Sequence, residues 1–240
     1  MRIEIVTDAA AVAARAADII CGAVRAKPGA VLGLPTGATP VAAYAEIARR
    51  VAAGEADLSR ATVFAIDEFA GCTAETPGTN AVFFRDVVRF PLRAVRCPDP
   101  GAGDPDAHIR SFAGEVRAAG GFDLCVLGIG ETGHVAFNEP GAARDSRARC
   151  VTLTETSRRA HAANFGAIDR VPLRGMTLGI ADLLEARALL VLAQGAHKAA
   201  IVHAAIDGPE TPDVPASWLR GHADVTWLLD AAAASGLARR

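Results

Sequence analysis

The stretch DLCVLGIGETGHVAFNEPG, Asp123 to Gly141, decides between two readings of this chain. Its first five residues, an aspartate and four apolar residues, have strand character, and the loop behind them carries Gly128, Gly130 and Gly133 in G-x-G-x-x-G spacing. In a dinucleotide-binding turn that spacing opens a helix, and an acidic residue follows about 20 positions later. Here Phe137-Asn138-Glu139-Pro140-Gly141 is poor helix material, and Glu155, the acid at that distance, lies in a polar Thr-rich stretch. The cofactor reading is therefore weak. What remains is a strand running into a glycine-rich loop that carries His134 and Glu139, a base and a carboxylate able to orient it.

Outward from this stretch, short β-branched runs alternate with longer Ala-rich segments. Strands are expected at Ile3–Val6, Ala30–Leu34, Thr62–Ile66, Asp123–Leu127, Cys150–Leu153, Met176–Ile180, Ala188–Ala193 and Asp224–Leu229. Helices are expected at Ala9–Arg25, Val41–Ala53, Asn80–Arg89, Asp106–Ala119, from Thr156 to about Phe165, and at His197–Ile206. The alternation predicts an α/β, Rossmann-like fold with a mostly parallel sheet and helices on both faces. The Pro/Gly/Asp-rich segment Cys97–Asp106 reads as a surface loop, so residues 1–240 are expected to form one domain. In such folds ligands sit beyond the carboxyl ends of the strands, which directs attention to the residues that follow them.

Composition narrows the function classes. With 51% hydrophobic and 22% charged residues and a net charge of -2, the chain reads as globular and gives no electrostatic reason to expect nucleic acid. The five cysteines are scattered and never in C-x-x-C spacing, which suggests reduced thiols rather than disulfides or a thiolate zinc site. The six histidines show no i,i+4 ligand pairing, so no metal is expected. No apolar run approaches the ~18 residues of a membrane span, and the first residues lack the order of a signal peptide. A cytoplasmic location without membrane partners is the expectation.

Four strand ends carry polar chemistry. LGLPTGATP, Leu32–Pro40, joins a strand to a helix, and its Gly37, Thr36 and Thr39 suit an anion cradle at a helix start. An ordinary cap, with Thr39 as N-cap and Pro40 in the first helical position, fits the same residues. VFAIDEFAG ends a strand in Asp67 and Glu68, placed for proton transfer or simply for a turn. The third is the opening stretch. The fourth comprises Arg158, Arg159 and His161 on a helix and Lys198 past a later strand, cations that suit either a phosphate or solvent.

Taken in order, LGLPTGATP, DEF, GIGETGHVAFNEP, TLTETSR, MTLGI and GAHKA resemble the motifs of the glucosamine-6-phosphate deaminase/isomerase family, which is related to the 6-phosphogluconolactonases. G-H-x-A-F-N-E-P is the most specific of them and favours the deaminase branch. The resemblance implies a hexosamine 6-phosphate substrate, glucosamine 6-phosphate first, converted without metal or organic cofactor to a ketohexose 6-phosphate and ammonia. It implies that Asp67 moves the proton between C2 and C1, and that His134, oriented by Glu139, opens the sugar ring. The loop of Thr36, Gly37, Ala38 and Thr39, with Arg158 and Lys198, would hold the 6-phosphate. Glu68 and Gly133 would contact the rest of the sugar. A homo-oligomer is compatible with the family.

Two departures stand out. The deaminase pattern has Asp immediately before Gly-His, where this chain has Thr132, with Glu131 one position earlier. Either Glu131 reaches in, or ring opening relies on Glu139 alone. The region after Asp67-Glu68 reads ETPGTNAVFF, Glu75–Phe84, in place of the family's His-Pro-x-Ser-Tyr element. Its PGT is closer to the galactosamine-6-phosphate branch, which makes that epimer the first alternative. A lactonase and a non-catalytic sugar-phosphate sensor follow.

Overall fold

The computed structural model describes residues 1–238. The chain begins β1 (Arg2–Val6), α1 (Ala9–Ala26), β2 (Val31–Leu34), α2 (Ala38–Ala52), β3 (Thr62–Ala65), β4 (Asp67–Ala70), α3 (Asn80–Val87) and β5 (Ala94–Arg96). It continues with α4 (Pro105–Ala118), β6 (Leu124–Gly128), β7 (Arg149–Thr152), α5 (Glu155–Phe165), β8 (Arg174–Thr177) and α6 (Ile180–Leu184). The last elements are β9 (Leu189–Ala193), α7 (Ala199–Ile206) and β10 (Val225–Asp230). Helix starts are specified locally: the side chains of Asp8, Thr79, Asp104 and Thr154 each accept from a backbone N–H of the first turn of α1, α3, α4 and α5.

Seven strands form one sheet in the order β1-β10-β9-β6-β2-β3-β5, and every pairing in it is parallel. From β2 the chain builds outward through β3 and β5, then returns to add β6, β9 and β10 on the other side. The winding therefore reverses between β2 and β6, and the crevice beyond their carboxyl ends is where an open α/β sheet receives a ligand. Side-chain alternation divides the core across the two faces. Leu32, Leu34, Val63, Leu190 and Leu192 pack with α1 and α2 through Ile20, Tyr44 and Ile47. Val31, Phe64, Cys125, Leu127 and Val191 pack on the other side with Ile109 and Phe112 of α4 and Val202 of α7. Each such side chain, once buried, stabilises the fold by about 1.5–3 kcal/mol relative to exposure.

The structure departs from the simple alternation in one respect that matters for the site. β4, β8 and β7 leave the main sheet and form a second, antiparallel sheet in the order β4-β8-β7. The strand expected at Thr62–Ile66 ends at Ala65, and Asp67 and Glu68 lie within β4 rather than in a turn, paired with Thr177 and Met176. The strands expected near Cys150–Leu153 and Met176–Ile180 are the other two members of this sheet, and Ile180 instead begins α6. Both sheet types use the same apolar, β-branched residues, so strand character alone does not assign a strand to its sheet.

A close backbone approach fixes the end of β8. A Cβ on Gly179 would lie 2.1 Å from the carbonyl oxygen of Ser146 and 2.5 Å from Cα of Arg147. Both obstacles are backbone. Gly179→Ala is therefore expected to cost about 2–4 kcal/mol of stability, read as a lower urea midpoint with an unchanged slope. Among the described residues no helix is long and apolar enough to cross a membrane, and no group of three or more His, Cys, Asp and Glu is placed to hold a metal ion. The five cysteines are free thiols.

Candidate active site

A cleft opens at the reversal between β2 and β6. It is lined by the loop after β2, by Asp67 of β4, by the glycine-rich loop after β6 and by His161 of α5. It is open to solvent, with a volume of about 150 Å³.

The loop after β2 does not form the cap expected of Thr39. Gly37, not Thr39, is the N-cap of α2, and Pro40 is the third helical residue. Gly37 adopts φ 96°, open to glycine at little cost, and no side chain caps the helix. The first turn of α2 thus brings uncapped N–H groups and the positive end of the helix dipole to the rim of the cleft, an arrangement that favours an anion. Thr36, Gly37, Ala38 and Thr39 all line the cleft.

Asp67 and Glu68 are adjacent in sequence but part in space, because successive residues of a strand face opposite sides. Asp67 lines the cleft, only 8% exposed, and its Oδ1 accepts a hydrogen bond from Asn80 Nδ2 at 2.6 Å. Burial, reinforced by the neighbouring charge of Glu68, pushes its pKa up to about 7, and the Asn80 bond pulls the other way. Glu68 is fully buried and accepts from the backbone N–H groups of Phe69, Asn80 and Ala81, so it anchors the start of α3. Burial pushes its pKa up to about 7 against the pull of those three donors. Glu68 is absent from the lining of the cleft.

His134 stands in the same cleft. Its ring lies directly over Gly130, where a Cβ would come within 2.0–2.4 Å of three ring atoms. Nδ1 is 2.9 Å from the hydroxyl of Thr132 and 3.8 Å from Glu139 Oε2. Burial lowers the His134 pKa, with Glu139 and Glu131 opposing and Lys198 adding to the drop. The imidazole is therefore neutral at neutral pH and able to accept a proton. Glu139 is buried and receives Thr154 through its backbone N–H and its hydroxyl, at 3.5 and 3.3 Å. Asn138 donates to the carbonyls of Val135 and Leu178, tying the loop to the end of β8. Between His134 and Asn138, Ala136 adopts φ 49°, in the left-handed region, and lines the cleft.

The remaining sequence candidates divide. Thr132 meets His134 directly, whereas Glu131 is exposed and acts on His134 and Lys198 through its charge alone. Gly133, at φ 81°, packs against Val214 behind the loop. Lys198 is half-buried close to Glu131, outside the cleft lining, with its pKa lowered by burial. Arg158 turns toward the carbonyls of Ile168 and Val171, at 2.7 and 3.3 Å, and Arg159 pairs with Glu155 on its own helix. His161 is not a cation here. Burial, and after it the neighbouring imidazole of His134, push its pKa down to about 4, and its ring meets Phe69 and Phe137 edge-on.

Sequence reasoning missed Asn80, the amide that binds Asp67. Nothing about an asparagine at the start of a helix distinguishes it from an ordinary capping residue. Only the folding of β4 against α3 brings the two side chains together.

The sequence model of the family described as "Glucosamine-6-phosphate isomerases/6-phosphogluconolactonase" matches residues 7–227. The chain belongs to this family. Similar members of known sequence include the glucosamine-6-phosphate deaminase of Rhodopirellula baltica, 40% identical over 100% of this chain and 97% of its own. That of Mycolicibacterium smegmatis is 40% identical over 99% of this chain and 93% of its own. Among solved structures, a monomeric glucosamine-6-phosphate deaminase superposes with a TM-score of 0.94 at 34% identity, covering 98% of this chain and 100% of that one. The 6-phosphogluconolactonase of Trypanosoma brucei shares the fold, with a TM-score of 0.77 at 21% identity over 99% and 98% of the two chains.

Proposed function

We propose that this chain converts glucosamine 6-phosphate and water to the ketohexose 6-phosphate and ammonia. The observation that carries the reading is the buried carboxylate of Asp67 sharing one cleft with neutral His134 and with the anion-receptive start of α2. The names of the relatives at 34–40% identity support the deaminase rather than the lactonase branch. We place the enzyme in the cytoplasm as a single catalytic unit, a reading supported by its five free thiols.

The phosphate, held at the uncapped turn of α2, positions the reactive end of the sugar by binding energy remote from the chemistry. His134 takes the proton of the C1 hydroxyl and returns it to the ring oxygen, which opens the pyranose. Thr132 holds the ring at Nδ1, and Glu139 at 3.8 Å steadies the transient imidazolium. Asp67 then removes the C2 proton to give an enolamine and delivers it to C1. Protonation at C1 leaves an iminium at C2; water adds there and ammonia departs. Arg158, Lys198 and Glu131 are assigned to the outer electrostatic support of the site, and Glu68 to holding α3.

Purified protein supplied with glucosamine 6-phosphate is expected to release ammonia, faster than with galactosamine 6-phosphate and with no hydrolysis of 6-phosphogluconolactone. Lactone hydrolysis without ammonia would sink the proposal, and a preference for the galacto epimer would reassign the substrate. The pH profile offers a separate check. Asp67 must be ionised to act, and its pKa is pushed up to about 7. Activity is therefore expected to fall as pH drops through neutrality, before His134, whose pKa is lowered, takes up its proton. A flat kcat/KM between pH 8 and pH 5 would contradict this assignment.

A further inference from the structure

Asn80 is the first residue of α3 and is 3% exposed. Its Nδ2 donates to the carbonyl oxygen of Asp67 at 2.8 Å and to Asp67 Oδ1 at 2.6 Å. Its Oδ1 accepts from the hydroxyl of Thr36 at 2.9 Å. A primary amide has two N–H donors on one side and a carbonyl acceptor on the other. Both Asp67 atoms are acceptors, so the NH2 must face them, and the carbonyl is left for Thr36. The single hydroxyl proton of Thr36 is then committed to Asn80. Turning the amide over would set its oxygen against the carboxylate, so the orientation is fixed from both ends. Thr36 belongs to the loop that receives the phosphate, and Asp67 is the base.

We propose that Asn80 is the positioning residue of the base, an inference that rests on the deamination proposed above. The amide pins Asp67 Oδ1, so that Oδ2 is the oxygen presented to C2 of the sugar, and through Thr36 it joins the aim of the base to the phosphate loop. The bond also favours the ionised carboxylate in a buried place. The other titratable groups around Asp67 give no such help. Glu68, next on β4, repels it; Cys97, after β5, is a thiol held protonated by burial; His134 and His161 in the cleft are neutral.

The test is Asn80→Leu, close in volume but unable to hydrogen-bond, compared with the wild type on glucosamine 6-phosphate. We expect kcat to fall by about 10–10²-fold, with KM changed less than about threefold because the phosphate grip is retained. The acid limb of kcat/KM should move up by about one pH unit. Thr36→Val, which removes only the hydroxyl that fixes the amide, should shift kcat and the acid limb in the same directions by less. An active wild type alongside an Asn80→Leu variant with an unmoved acid limb would overturn the proposal and leave the deamination standing, even if kcat fell. No ammonia from the wild type would overturn both. If circular dichroism shows Asn80→Leu unfolded, Thr36→Val decides on the same criterion, since its side chain lies outside α3.

Discussion

Asp67→Asn is expected to lower kcat for hexosamine 6-phosphate deamination by about 10⁴-fold, the upper end of what one acid–base group supplies, because in the proposed mechanism the same carboxylate both removes the C2 proton and returns it to C1. Asparagine can still accept from Asn80 Nδ2 at the position of Oδ1, so local geometry and ligand binding should survive. Isothermal calorimetry with glucosamine 6-phosphate should show near wild-type affinity, and ammonia release should be lost. The variant should also be more stable at alkaline pH. The folded-state pKa of Asp67 is raised from 3.8 to about 7, so the folded protein keeps a proton that the unfolded chain has released. That contribution is fully present below about pH 4 and is lost as pH rises toward and through 7. Removing the ionisable group should therefore stabilise the protein at pH 8, on the order of 1–2 kcal/mol, and have little effect at pH 4. A variant with normal turnover would remove Asp67 from the mechanism. One that is inactive and also less stable at pH 8 would point to a structural role.

Gly130→Ala is expected to lower kcat by about 10²–10³-fold with little loss of stability. Gly130 does not need the left-handed region, so its backbone tolerates alanine; the conflict is with the imidazole of His134, 2.0–2.4 Å from the new Cβ. The ring must leave its place, and with it goes the 2.9 Å contact to Thr132. The comparison that isolates this cause is His134→Gln alone and combined with Gly130→Ala. If displacement of the ring is the whole effect, the double variant should be no slower than His134→Gln. Additive losses would mean that Gly130 serves the sugar directly.

These expectations rest on geometry that was partly legible in the sequence. The glycine-rich loop after β6 could be told from a dinucleotide-binding turn because Pro140 and Gly141 deny it a helix, and the structure has none there. Asp67 and Glu68 could not be told apart, since both are acids at one strand end. Pairing of β4 with β8 turns the first into the cleft and the second under α3. The cations fared differently. A charged side chain four or five bonds long can reach several places, and Arg158 settles on the carbonyls of Ile168 and Val171. His161 loses its charge to burial among Phe69 and Phe137, residues far from it in the chain.

The sequence by itself determined the alternation of strands and helices, the parallel main sheet and the loops that line the cleft, because periodicity, capping and turn residues act within a few positions of one another. Tertiary structure alone decided the second sheet β4-β8-β7 and the chain of hydrogen bonds from Thr36 through Asn80 to Asp67. Each of these depends on contacts between segments distant in sequence, and on the desolvation that follows when they close around a polar group. No local pattern encodes either.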